Sequence, residues 1–205
     1  MEIKTIKSKF LRNMFDQNTY VLINKNDAVI IDAGAELDDV VQAVGNKKVQ
    51  AILLTHIHFD HVWNLEEYVV RFDAPVFVVQ GQEKRFDDSA LNASMILRQD
   101  MRFNIDQTKI KYYAEKLKLG SFDFDVIFSP GHSDDSVCLL VDGQLFSGDT
   151  LFDGGVGRTD LPDGSEKKLL ESLEKIKQLK FERAYPGHYD SASQDKILTT
   201  IMFYI

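Results

Sequence analysis

Thr55-His56-Ile57-His58-Phe59-Asp60-His61 decides how this chain is read. It follows a short apolar run, Ala51 to Leu54, which has the length and composition of a buried strand. Three of the five histidines in the 205 residues fall inside this stretch. The other two end matching turns, Pro130-Gly131-His132 and Pro186-Gly187-His188, so no histidine remains for ordinary surface or core duty. Imidazole nitrogen and carboxylate oxygen are ligands for zinc, and also for iron or manganese. A loop leaving a strand aims alternate side chains into one crevice. His56 and His58, two apart, can therefore converge on one ion, with Asp60 and His61 placed for a second. The alternative, scattered surface or core histidines, fits a lone residue better than this cluster.

Outward from that loop the chain alternates between short strands and amphipathic helices. Ile3 to Ile6 reads as an edge strand, with Phe10, Met14 and Phe15 adding apolar contacts. Asn18 to Ile23 and Ala28 to Ile31 read as strands, the second ending at Asp32-Ala33-Gly34. Leu37, Val40, Val41 and Val44 recur at helical spacing over Glu36 to Val44, and Val62, Leu65 and Val69 mark a second helical face. Asp73-Ala74-Pro75 breaks that face before a strand at Val76 to Val79. Gly81 to Asp106 is polar with scattered large apolar residues and reads as helix or helical loop outside the sheet.

Further on, Lys109 to Leu119 reads as one strand and Phe122 to Phe128 as another. Val137 to Val141 and Gln144 to Ser147 form a hairpin across Asp142-Gly143, delivering Asp149 at its far end, with Cys138 as a core thiol. Asp163-Gly164-Ser165-Glu166 has the form of a capping box with Asp163 as the cap, opening an amphipathic helix from Leu169 to Leu179. Phe181 to Tyr185 is a short strand, and Asp190 to Ile205 a polar segment with an apolar tail. The rhythm predicts mixed α and β structure in sheet layers covered by helices.

Composition narrows the function classes. The net charge of −8, with no basic tract, argues against a nucleic-acid partner. One cysteine excludes an internal disulfide and fits a cytoplasmic protein. No signal-like N-terminus and no long apolar run is present, so no membrane partner is expected.

The series His56-x-His58-x-Asp60-His61, His132, Asp149 in Ser147-Gly148-Asp149-Thr150, and His188 resembles the metallo-β-lactamase fold superfamily in order and rough spacing over nearly the whole chain. Gly148 to Phe152 followed by Gly157-Arg158-Thr159-Asp160-Leu161-Pro162 is similar to the glyoxalase II-like thioester hydrolases, in particular their short bacterial members. The resemblance implies an α+β, four-layer αββα sandwich over residues 1–205 as a single domain, with 81–106 as a candidate lid insertion. It implies two divalent metal ions, zinc first and iron or manganese as alternatives. One ion would be held by His56, His58 and His132 and the other by Asp60, His61 and His188, with Asp149 bridging and Asp60 and Asp149 counted as catalytic. Asp32 would lie beneath the metals as a hydrogen-bond partner, its other reading being a turn-forming aspartate. The implied reaction is hydrolysis of a small-molecule thioester such as an acylglutathione by water activated on the metals.

Arg158 is the first candidate for gripping substrate, because the glycines at 154, 155 and 157 let its loop approach a ligand. Its other reading is an internal ion pair with Asp160 or Asp153. Tyr189, beside His188, is a second substrate-binding candidate. Two rival functions share the resemblance: a mono-iron persulfide dioxygenase, which would use the positions of His56, His132 and Asp149, and a metal-dependent hydrolase of another ester, lactone or phosphoester. A carboxylate at Asp149 departs from the cysteine of the best-known β-lactamases, and His58 in place of glutamate departs from the di-iron flavoproteins. Ser133-Asp134-Asp135-Ser136 stands where relatives often carry Thr-Pro-Gly-Ser, and Gly187-His188 is followed by Tyr189 rather than by the Glu-Tyr-Thr of longer glyoxalase II enzymes.

Overall fold

Strand β2 (Asn18–Asn24) is buried along nearly its whole length, as is β3 (Asp27–Ile31). Strands covered on both faces read as continuous apolar runs, and Tyr20-Val21-Leu22-Ile23 and Ala28 to Ile31 do so. In this computed structural model residues 1–9 and 16–205 are described, so the expectation for Phe10, Met14 and Phe15 lies outside the described residues. The chain separates into two compact units, residues 1–113 with 118–122 and residues 114–117 with 123–205.

In the first unit the expected edge strand is β1 (Glu2–Lys7), paired antiparallel to β2 with Ile3 opposite Leu22. β2 pairs antiparallel with β3. Parallel pairing then adds β4 (Lys48–Leu53), β5 (Val76–Val78) and β6 (Ile110–Tyr112) in that order. The crossovers carry α1 (Leu37–Val44), which buries Val40 and Val44, and α2 (Leu65–Phe72), which buries Leu65, Tyr68 and Val69. Gly45 at φ 62° ends α1, and Asp73 at φ 50° ends α2 at the expected break. The segment 81–106 holds two short 3-10 turns, Glu83–Asp87 and Ser94–Leu97, within the helical or loop reading.

The second sheet is built of β7 (Lys116–Leu119), β8 (Phe122–Phe128), β9 (Val137–Val141), β10 (Gln144–Gly148), β13 (Arg183–Pro186) and β14 (Ala192–Ser193). Their order across it is β14-β13-β10-β9-β8-β7. β9 and β10 form the expected hairpin, with Asp142 and Gly143 at φ 47° and 74°, the positive pair that a tight two-residue turn requires. A small separate hairpin, β11 (Leu151–Phe152) with β12 (Gly155–Val156), follows Asp149. Helices α3 (Glu166–Lys177) and α4 (Gln194–Tyr204) place Leu169, Leu173, Ile176, Ile197 and Ile201 in one apolar cluster with Cys138, Leu145 and Phe181. Full burial of a leucine or isoleucine is worth about 1.5–3 kcal/mol, so this cluster is a substantial part of what holds the two helices to the unit. Cys138 is fully buried there, and burial pushes its thiol up to about 11, an inert core residue.

Three expectations are corrected. Lys109 to Leu119 is not one strand: Tyr113, buried and donating its hydroxyl to the Leu54 carbonyl at 3.0 Å, ends β6, and the chain re-enters another sheet as β7. The cap of α3 is Ser165, whose Oγ accepts from the Lys168 amide at 3.4 Å, whereas Asp163 accepts the Asp134 amide at 2.9 Å. The tail from Asp190 is largely helix, α4, docked through Ile197 and Ile201.

Candidate metal centre

The four ligand candidates of the first unit follow the carboxyl end of β4 and are all buried, His56 at 1 %, His58 at 4 %, Asp60 at 7 % and His61 at 0 % exposure. The alternation expected of the loop is met: His56 Nε2 faces His58 Nδ1 at 3.0 Å, and the His56 and His61 rings lie 4.1 Å apart. Beneath them sits Asp32, also buried and held at φ 60°. Its Oδ1 accepts the Thr55 amide at 2.8 Å, and its Oδ2 accepts the Thr55 hydroxyl and His61 Nδ1, each at 2.8 Å. Because the Thr55 hydroxyl gives its proton to Asp32, its oxygen accepts from His56 Nδ1 at 3.2 Å. One carboxylate thus sets two imidazoles, His61 directly and His56 through Thr55, and leaves the lone pair of each on Nε2. Gly34 is required beside them: a Cβ there would stand 2.2 Å from the Asp60 carbonyl oxygen.

In the second unit, His132 follows β8, Asp149 follows β10 and His188 follows β13, all at strand carboxyl ends. Both imidazoles approach the same oxygen, with Asp149 Oδ2 3.7 Å from His132 Nε2 and 3.4 Å from His188 Nε2. His132 Nδ1 donates to the Arg158 carbonyl at 2.8 Å, an acceptor that again leaves the lone pair on Nε2. Gly157 makes room for this, since a Cβ on it would meet the Asp149 carbonyl oxygen at 1.9 Å and His132 Cβ at 2.9 Å. All seven ligand candidates belong to groups of histidine and aspartate that could hold a metal ion. The donor set fits a divalent metal: nitrogen and carboxylate oxygen only, with three imidazoles already in the ligating tautomer.

A family model described as the metallo-beta-lactamase superfamily matches residues 12–188. The chain belongs to this superfamily. Among curated relatives, the probable metallo-hydrolase YqgX of Bacillus subtilis is 38% identical over 163 residues, 76% of each chain. A hydroxyacylglutathione hydrolase of Francisella tularensis is 32% identical over 89% of this chain and 67% of its own length. Among solved structures, that of the B3 metallo-β-lactamase BLEG-1 superposes with a TM-score of 0.89 at 30% identity, covering 99% of both chains. The fold is accordingly the α+β metallo-β-lactamase fold, and the chain is a metallo-hydrolase of that superfamily. Among the described residues no helix is long and apolar enough to cross a membrane.

Within this superfamily member, Arg158 takes the internal pair foreseen as its other reading. Its Nε and Nη2 donate to the two Asp160 oxygens at 2.6 and 2.7 Å, half exposed, while its carbonyl serves His132. That guanidinium holds the Asp160 carboxyl at about 2. A folded-state value below the unfolded one means the pair stabilises above the ordinary carboxylate range and is lost as pH falls toward that value. The Asp160 carboxyl, followed by NMR, is expected to titrate with a midpoint near pH 2. A midpoint at the ordinary value of about 4 would show the pair open in solution.

Tyr189 is 68 % exposed, at φ 65°, with its ring edge-on to Phe152 at 5.4 Å between centroids. The two aspartates without a sequence rationale have one here. Asp135 accepts the Ser133 hydroxyl at 2.7 Å, and Asp134 pairs with Lys168 of α3 at 2.7 Å, so both pin the turn after His132. Sequence reasoning missed Thr55 and the Arg158 carbonyl. A hydroxyl directly before the first ligand histidine was a usable signal for the former; a backbone acceptor leaves none.

Proposed function

We propose that the chain is a dinuclear metal-dependent hydrolase of thioesters of the acylglutathione kind, working in the cytoplasm. In this reading His56, His58 and His132 hold one divalent ion, Asp60, His61 and His188 the other, and Asp149 joins them. The observation that carries it is the approach of His132 and His188 to one oxygen of Asp149, the arrangement a bridging carboxylate needs. Metals in such a pair lower the pKa of a bound water from 15.7 to about 7 and polarise the acyl oxygen. The chain's own contribution is orientation: Asp32 and the Arg158 carbonyl hold three imidazoles in the tautomer that ligates. A thiolate leaves readily, so no strong protein acid is required. Arg158 would grip a substrate carboxylate by exchanging it for Asp160, and Tyr189 would flank the same substrate. The likeness to a hydroxyacylglutathione hydrolase supports the thioester, and the absence of any basic tract disfavours nucleic acid.

The test is metal content of protein purified without added metal, with turnover of S-lactoylglutathione. Two metals per chain and thioester hydrolysis are expected. His58→Ala is expected to lower turnover more than about 100-fold, since losing even an outer partner of a ligand costs about 10–100-fold. One iron per chain with oxygen consumption on glutathione persulfide would replace the hydrolase with a dioxygenase. Two metals with hydrolysis of a β-lactam, lactone or phosphoester only would replace the substrate.

A further inference from the structure

Asn92 lies in the segment between the 3-10 turns of the first unit and is completely buried. Its side-chain amide donates to the Arg85 carbonyl at 3.1 Å and to the Met101 carbonyl at 3.0 Å, while Oδ1 accepts the Ser94 amide at 3.0 Å. Its own amide donates to the Asp88 carbonyl at 2.8 Å. The remaining polar group, its carbonyl, accepts the Phe59 amide at 2.8 Å. Phe59 stands between His58 and Asp60. Around Asn92, buried Arg85 donates to the Leu91 carbonyl at 3.0 Å, and Ala93 and Arg98 are held at φ 62° and 55°. Two non-glycine residues in the left-handed region persist only where surrounding contacts over-determine the backbone. The far end of the segment is tied as well, with the Asn104 amide on Glu66 Oε1 at 2.6 Å and the Phe103 amide on the Phe86 carbonyl at 2.8 Å.

We propose that Asn92 is a positioning residue for the metal ligands, closing the 85–101 segment into a clasp whose carbonyl fixes the Phe59 amide and so the aim of His58 and Asp60. The inference rests on the proposed function only in taking His58 and Asp60 as ligands. It recasts the segment expected as a lid: these contacts make it a buttress under the ligand loop. Every hydrogen-bonding group of Asn92 is used, so neither a smaller nor a charged side chain reproduces the closure.

The test compares wild type, Asn92→Ala and the core variant Val40→Ala, a buried α1 residue truncated as the control for lost global stability. Amide hydrogen exchange of the metal-free proteins reads the clasp directly. In Asn92→Ala the Phe59 amide is expected to exchange at least about tenfold faster than in Val40→Ala. Competition with a chromophoric chelator is expected to show metal binding weakened about 10–100-fold in Asn92→Ala alone. If Asn92→Ala yields no folded protein, Asn92→Asp, which keeps the Oδ1 acceptor and loses both donors, carries the same comparison. Phe59 exchange equal to that of Val40→Ala overturns the proposal, as does metal affinity equal to it. A wild type that binds no metal overturns the proposed function and the ligand part of this one, while Phe59 exchange still reports on the clasp.

Discussion

Asp32→Ala is expected to destabilise the fold by about 3–5 kcal/mol. Three donors, the Thr55 amide, the Thr55 hydroxyl and His61 Nδ1, would lose a buried acceptor, each orphan costing about 1–3 kcal/mol, less what the released carboxylate regains. Alanine also tolerates the φ of 60° less well than aspartate. Asp32→Asn separates chemistry from conformation. Asparagine accepts the left-handed backbone and can keep an oxygen for the Thr55 amide, but its NH2 then stands where the Thr55 hydroxyl and His61 Nδ1 both point. The His61 proton is then driven to Nε2, the atom needed for a metal. The Asp32→Asn variant is expected to keep most of the stability and bind metal about 10–100-fold more weakly. Urea denaturation and chelator competition measure the two effects. Metal affinity equal to wild type in Asp32→Asn would remove the tautomer-setting role of this carboxylate.

Gly157→Ala is expected to be the most damaging single methyl in the second unit. Gly157 follows β12, and its amide donates to the Thr150 carbonyl at 3.2 Å. The new Cβ would fall 1.9 Å from a backbone oxygen, that of Asp149, which cannot swing aside as a side-chain end does. Either the Asp149 backbone moves, or Gly157 does and carries with it the Arg158 carbonyl that holds His132. Overpacking of this kind costs about 1–3 kcal/mol and sometimes more, and here it lands on two candidate ligands together. A stability lowered by about 3 kcal/mol in thermal melts, with metal content cut, is the expected result. Gly155→Ala two residues earlier is the comparison, because its nearest neighbour, Phe152 Cδ2, would be 4.0 Å away. That change is expected to stay within about 0.5 kcal/mol. Equal behaviour of the two variants would show that the loop relaxes without cost.

The clustering of the candidate ligands was readable because histidine is scarce here and each one sits in a loop directly after an apolar run. The helices α1, α2 and α3 were readable for a related reason: their apolar residues recur on one stripe, as Leu169, Leu173 and Ile176 do. Helix α4 was not, since Met202 and Phe203 are exposed beside buried Ile197 and Ile201, and apolar residues on every side erase the stripe. The division of 109–119 was hidden because alternation persists across Tyr113, whose turn depends on a partner, Leu54, distant in sequence. Ser165 and Asp163 are both good caps by type, and only the Asp134 amide decides between them. Asp32 could be suspected from its place at a strand end. Leu91-Asn92-Ala93-Ser94 faintly resembles a motif of the short family members that lies over the site, which suggests a lid; the contact from Asn92 to the loop was not legible, for it runs through a carbonyl that every residue possesses.

Each ligand candidate follows the carboxyl end of a strand: β4 in one sheet, and β8, β10 and β13 in the other. The amino ends of the same strands open from connections such as Gly45 to Lys47 and the Asp142-Gly143 turn, which carry none of these groups. In each sheet, taken by itself, the carboxyl ends therefore carry the candidate ligands and the amino ends do not. Asn46 is exposed in the turn between α1 and β4, so a peptide epitope spliced there is expected to ride as a passenger and leave the groups after the far end of β4 in place.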